Sequence, residues 1–131
     1  MKSILILCLS LLLLSACDKD EKKKTKLHEA DYQNYWCEQQ DGETEQVLSD
    51  RTRCDCITDS HAIEVDFAKK WAEAIGQSIH YARLTDKKAG ILLIMKSKKD
   101  QKHYKKLMDN IEFYQLPIQV WTIHKDELST E

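Results

Sequence analysis

Apolar and polar positions change their period several times along this chain, and each change marks an element. Tyr32, Tyr35 and Trp36 recur at helical offsets, which predicts a short helix over His28 to Trp36. Asp41-Gly42 is a turn signal. Short runs follow at Thr44–Leu48, Arg53–Thr58 and Ala62–Ala68, separated by Ser49–Thr52 and by Asp59-Ser60, and read as an antiparallel meander of strands. From Lys69 to Leu84 the period becomes helical, with Trp71, Ala74, Ile75, Ser78, Ile79 and Ala82 on one stripe. Ala89–Met95 is continuously apolar, the pattern of a strand covered on both faces. Asp100 to Tyr114 is amphipathic through Tyr104, Leu107, Met108, Ile111 and Phe113, and Ile118–Ile123 is a last strand before a polar tail. The predicted order is α-β-β-β-α-β-α-β. A helical crossover to a buried strand makes this an α/β domain with a mixed sheet and helices on both faces.

The first residues alter the picture of where this domain works. Lys2 precedes the apolar run Ile4 to Leu14, which is short for a membrane span and suits an export signal. The run ends in Leu14-Ser15-Ala16-Cys17, which resembles a bacterial lipobox. That resemblance implies cleavage after residue 16, lipid on Cys17, and a membrane anchor facing the periplasm. Asp18 resembles an inner-membrane retention signal. Residues 17–27 then form a charged tether, with Lys22-Lys23-Lys24 able to meet anionic headgroups. The expected organisation is leader 1–16, tether 17–27, domain 28–124 and polar tail 125–131.

The 131 residues allow one domain. Net charge is −2, and loss of Lys2 with the leader leaves 19 basic against 22 acidic side chains, hence −3. No global basic footprint for nucleic acid exists, so a polyanion would have to meet a local patch. Cys37, Cys54 and Cys56 remain after processing. In an oxidising compartment Cys37 is expected to pair with Cys54 or Cys56, with Cys56 favoured. On a regular strand Cys54 and Cys56 share the face opposite Asp55. Zinc is disfavoured, because there is no C-x-x-C and His61 is the only imidazole nearby.

The chemistry gathers between Glu45 and Tyr81. Glu64 and Asp66 alternate with Ile63, Val65 and Phe67, so the two acids share one strand face. With Asp55 on the neighbouring strand and Glu45 on the one before, they repel each other unless a cation intervenes. Hard oxygen ligands favour magnesium or manganese. Gln77 and Tyr81 lie four apart on one helix face. The plain alternative for each acid and lysine is a solvated surface charge.

Set in this order, Asp55, Glu64 and the run Gln77-Ser78-Ile79-His80-Tyr81 resemble the PD-(D/E)xK nuclease superfamily, in its RecB-like branch with a Q-x-x-x-Y helix motif. The resemblance implies a restriction-endonuclease-like core. It also implies metal-dependent phosphodiester hydrolysis of DNA, with Mg2+ or Mn2+ held by Asp55, Glu64 and the carbonyl of Val65. Glu45 matches an upstream acid of the family and would hold the attacking water or a second ion, while Gln77 would position the site and Tyr81 would brace Gln77 or contact the nucleic-acid backbone. The family's lysine two residues after the Glu is replaced by Asp66, either a further metal ligand or the mark of a site that no longer cuts. Lys69 or Lys70 would then have to supply the ammonium. Arg51, Arg53 and Lys87-Lys88 are candidates for phosphate contacts. The other function class is a catalytically inactive binding or interaction lipoprotein on the same scaffold. No protein partner is implied, and the oligomeric state is left open.

Overall fold

A computed structural model describes residues 26–129. The expected leader, Cys17, most of the expected tether and the last two residues of the expected tail lie outside the described residues. The elements are α1 (Glu29–Gln39), β1 (Glu43–Val47), β2 (Arg53–Ile57), β3 (His61–Phe67), α2 (Trp71–Thr85), β4 (Lys88–Met95), α3 (Gln101–Tyr114) and β5 (Ile118–His124). Their order is the α-β-β-β-α-β-α-β expected from the pattern.

The five strands form one sheet in sequence order. β1 pairs antiparallel with β2 and β2 with β3, while β3–β4 and β4–β5 are parallel. Two-residue alternation sends each strand's side chains into two layers. Ile91, Leu93 and Met95 of β4 meet Ala74 of α2 and Leu107 and Ile111 of α3. Leu92 and Ile94 face the other way, with Ile63, Val65 and Ile123, onto Tyr32 and Trp36 of α1. Gly90 lies on this second layer. A Cβ there would stand 2.8 Å from the Trp121 ring and 2.9 Å from Ile63 Cγ1, so glycine lets the indole lie against the sheet.

Several positions depart from expectation. α1 runs to Gln39, so Cys37 is within the helix. α2 buries Ala74, Ser78 and Tyr81, while Ile79 is 39% exposed. The small side chains of Ala74 and Ser78 lie nearest the sheet, which turns the stripe toward Tyr81 and away from Ile79. Phe113 is 79% exposed, because two residues beyond the buried Ile111 is about 200° around a helix. The C-terminal segment is not a loose tail at its start. Lys125–Ser129 forms a 3-10 turn, and Leu128 packs against the α1-side core.

Cys37 and Cys56 form a disulfide that ties α1 to β2, with a Cα–Cα distance of 5.9 Å. Gly42 passes against it; a Cβ would lie 2.7 Å and 2.8 Å from the two sulfurs. Cys54 and Cys56 do not share a face. Cys56 joins the α1-side core, while the free Cys54 packs with Ala62 and Tyr81. Between them the ladder is interrupted: Glu45 and Asp55 do not pair, and Glu45 has φ 57. Among the described residues, no helix is long and apolar enough to cross a membrane.

Candidate functional site

The site forms where the sheet opens. β2 and β3 pair only at Cys56↔Ile63 and Ile57↔Ala62. One residue further, the Asp55 carboxylate replaces a backbone acceptor: its Oδ2 takes the N–H of Val65 at 2.7 Å. On the other side, β1 and β2 pair at Thr44↔Cys56 and Gln46↔Cys54 but not at the residues between. Glu45 has φ 57 there, a left-handed conformation unusual for glutamate. The Asp55 carbonyl, left by the ladder, accepts from Gln33 Nε2 at 3.0 Å. The same buried amide donates to Glu45 Oε1 at 2.6 Å.

Into this opening come four carboxylates. Glu64 and Asp66 are buried on β3, and Glu29 reaches in from the first turn of α1. They pair with one another through protons. Glu64 is pushed up to about 9, first by burial, then by the Asp55 charge and a hydrogen bond to Asp55. Asp55 is also raised, chiefly by burial. Glu29 is raised to about 7 by burial and by Asp66, to which it hydrogen-bonds. The Glu64 Oε2 atom is buried with no hydrogen-bond partner. With no N–H or hydroxyl donor at Glu64 Oε2, the proton shared with Asp55, or a cation in its place, is what offsets the burial of these two carboxyl groups.

The other groups expected at the site divide into two sets. Lys70 Nζ lies 3.3 Å from Asp66 Oδ1, and the Asp66 charge raises its pKa. Thus an ammonium joins the cluster even though an acid holds the position two after Glu64. Tyr81 is buried, with its hydroxyl pushed up to about 12 by burial and by the Glu64 charge. Gln77 Nε2 donates to Tyr81 Oη at 3.4 Å, so the two residues of the helix motif meet. Val65 contributes its N–H in the described contact.

The second set lies elsewhere or is engaged. Lys69 lines an adjoining cavity with Phe67, Lys96 and Glu29, and among the described residues it forms no ion pair with the acids. Glu45 is near enough to raise Asp55, but its Oε2 is 2.6 Å from Arg53 Nε. Arg53 is thereby spent on Glu45. Arg51 is exposed in the turn before β2 at φ 72. Lys87 donates to the Asp59 carbonyl at 2.8 Å, at the opposite end of β4 from the acids.

Two contributors escaped the sequence reading, Glu29 and Gln33. Their spacing of four on α1 was a usable sign, since it puts a carboxylate and an amide on one helix face. Nothing local to α1 shows that this face meets β2 and β3.

No family model, curated protein or solved structure matches this chain. The site therefore has to be judged on its own chemistry. Its donors are hard carboxylate oxygens, and the orphaned Glu64 Oε2 fits a hard divalent cation in kind. Among the described residues, however, no group of three His, Cys, Asp or Glu side chains is disposed to hold a metal ion. Asp55 and Glu64 supply two carboxylates side by side; a third ligand is not preformed.

Proposed function

We propose that this protein is a membrane-anchored, exported nuclease with a restriction-endonuclease-like core, hydrolysing DNA phosphodiesters with Mg2+ or Mn2+. The observation that carries the reading is the Asp55–Glu64 pair in the opened sheet, with one Glu64 oxygen buried and unpartnered. Such a pair holds a proton in place of a cation. Asp55 and Glu64 would hold the metal, with Asp66 or the Val65 carbonyl as a further ligand. A bound divalent ion supplies polarisation of a phosphoryl oxygen and a lowered pKa for an attacking water.

The chain's own residues then have definite tasks. Glu64 releases its proton when the site is loaded. Lys70, already at Asp66, offers positive charge to the phosphate as negative charge builds on it. Tyr81 stays protonated through the physiological range and keeps a hydroxyl beside Glu64, steadied by Gln77. Gln33 fixes the Asp55 backbone, so that its carboxylate stays aimed at β3.

The test is the purified full-length chain in detergent, with linear and single-stranded DNA and magnesium or manganese. Cleavage abolished by Asp55→Ala and by Glu64→Ala supports the reading; no cleavage, or cleavage that ignores both substitutions, rejects it. A second reading is a catalytically inactive binding or interaction lipoprotein on the same scaffold. It is favoured by Asp66 standing where the lysine is expected and by the lack of a preformed three-ligand group. Calorimetry separates the two, since divalent-ion binding lost in Glu64→Ala argues against a purely structural cluster.

A further inference from the structure

The parallel strands β3, β4 and β5 end together, and open α/β sheets take their ligands outside such carboxyl ends. Two adjoining cavities lie there. One, of about 460 Å³, is lined by Lys26, His28, Glu29, Phe67, Lys69 and Lys96. The other, of about 620 Å³, is lined by Lys96, Lys98, Gln101, His124 and Asp126 among others. Lys96 lines both, so the two cavities adjoin at its side chain and are treated together as one basic groove. Its lysines 26, 69, 96, 98 and 125 outnumber Glu29 and Asp126, in a chain of net charge −2. Among the described residues, Lys69, Lys96 and Lys98 form no salt bridge; Lys96 Nζ stands 4.9 Å over the Phe67 ring. At its other end the groove reaches the acid cluster, because Glu29 lines it and also hydrogen-bonds Asp66.

We propose that this groove binds the phosphate–sugar backbone of a short run of single-stranded nucleic acid and leads it toward Asp55 and Glu64. The direction of travel rests on the nuclease reading; the binding itself does not. Lysines set along a groove are the arrangement that tracks a single strand, with phosphates on the ammonium groups, and the Phe67 ring, already covered by Lys96, holds that ammonium in place. Each cavity has the size of a small-ligand site, roughly 300–1,000 Å³, which suits a few nucleotides and not a duplex. Continuity with the acids through Glu29, and concavity, favour a nucleic-acid strand over a flat bilayer surface. This is the local patch that the overall charge requires of any polyanion binder. It lies far from Arg53, which Glu45 engages, and from Lys88 at the start of β4.

The experiment is fluorescence anisotropy of a labelled oligothymidylate and of a duplex, with the full-length chain in detergent and EDTA present. Expected are tighter binding of the single strand and a loss of ten-fold or more in Lys96→Glu/Lys98→Glu. The salt slope should also fall by about 0.7 for each phosphate contact removed, with Lys106→Glu, on the exposed face of α3, close to wild type. Three results overturn the proposal: affinity unchanged in the double variant, preference for the duplex, or no oligonucleotide binding with phosphatidylglycerol vesicles bound instead through the same lysines. Because metal is absent, these outcomes do not depend on cleavage. Binding that needs the lysines without any magnesium-dependent cleavage would reject the nuclease reading and keep the groove; the reverse pattern would reject the groove alone.

Discussion

Replacing Glu64 by glutamine tests the proton held in the opened sheet. Glu64 is 4% exposed and its folded pKa stands near 9, against an ordinary value of 4.5. The folded protein therefore keeps a proton that the unfolded chain has released. Stability attached to that proton is full below about pH 4.5 and is lost as pH rises toward 9. Glu29 adds a smaller loss that is mostly complete by about pH 8 and is common to the wild type and a Glu64 variant, so the comparison of the two between pH 7 and pH 9 isolates Glu64. One proton over two pH units, at about 1.36 kcal/mol each, sets a ceiling of about 3 kcal/mol. In Glu64→Gln the amide N–H can donate to Asp55 in place of the carboxylic proton and cannot ionise. The variant should match the wild type most closely near pH 4.5, already be the more stable of the two at pH 7, and widen that lead by up to about 3 kcal/mol between pH 7 and pH 9. In melting temperature this is roughly 10–20 °C for a domain of this size. Urea unfolding at the two pH values, in EDTA, measures it. Equal pH slopes in the two proteins would mean that Glu64 is already ionised at pH 7, and the account of the site would fail.

Other consequences follow from packing and from the bonds around the site. Gly90→Ala puts a methyl group within 2.9 Å of Trp121 and Ile63; overpacking should cost about 1–3 kcal/mol in chemical denaturation, and a neutral result would show that the indole moves freely. Removing the disulfide with Cys37→Ala/Cys56→Ala opens a loop of sequence separation 19, and the chain-entropy relation assigns it about 3 kcal/mol. Unfolding with and without reductant should show that gap in the wild type and none in the double variant. Gln33→Ala leaves the buried side of the Asp55 carbonyl without its donor; a loss of about 1–3 kcal/mol is expected. The Val65 amide should also exchange faster by hydrogen–deuterium measurement, because the Asp55 carboxylate that protects it is no longer held. Unchanged exchange at Val65 would place Gln33 outside the positioning of Asp55.

Much of the fold was legible from period alone. The run Ala89–Met95 could only be a strand covered on both faces, and the switch to helical spacing after Ala68 marked α2 to within a turn. Burial of alternate apolar residues is a local demand that each segment carries in itself, and so is the meeting of Gln77 with Tyr81 one helical turn apart. The pairing of Cys37 with Cys56 was favoured but not decided by sequence. What residue pattern could not supply was the break in the β2 ladder. Regular alternation places Cys54 and Cys56 together, yet the ladder is broken at Asp55, whose carboxylate takes the Val65 N–H, and the two cysteines lie in different layers. Nor could it separate Lys69 from Lys70, adjacent in the chain, of which one meets Asp66 and the other faces the basic groove. Glu29 and Gln33 enter from a helix more than twenty residues before Asp55 and Glu64 can receive them. Secondary structure follows from what each segment must bury, and the chain states that residue by residue. Which charges share a proton depends on distances across the sheet and on exclusion of water, and only the packed elements establish those.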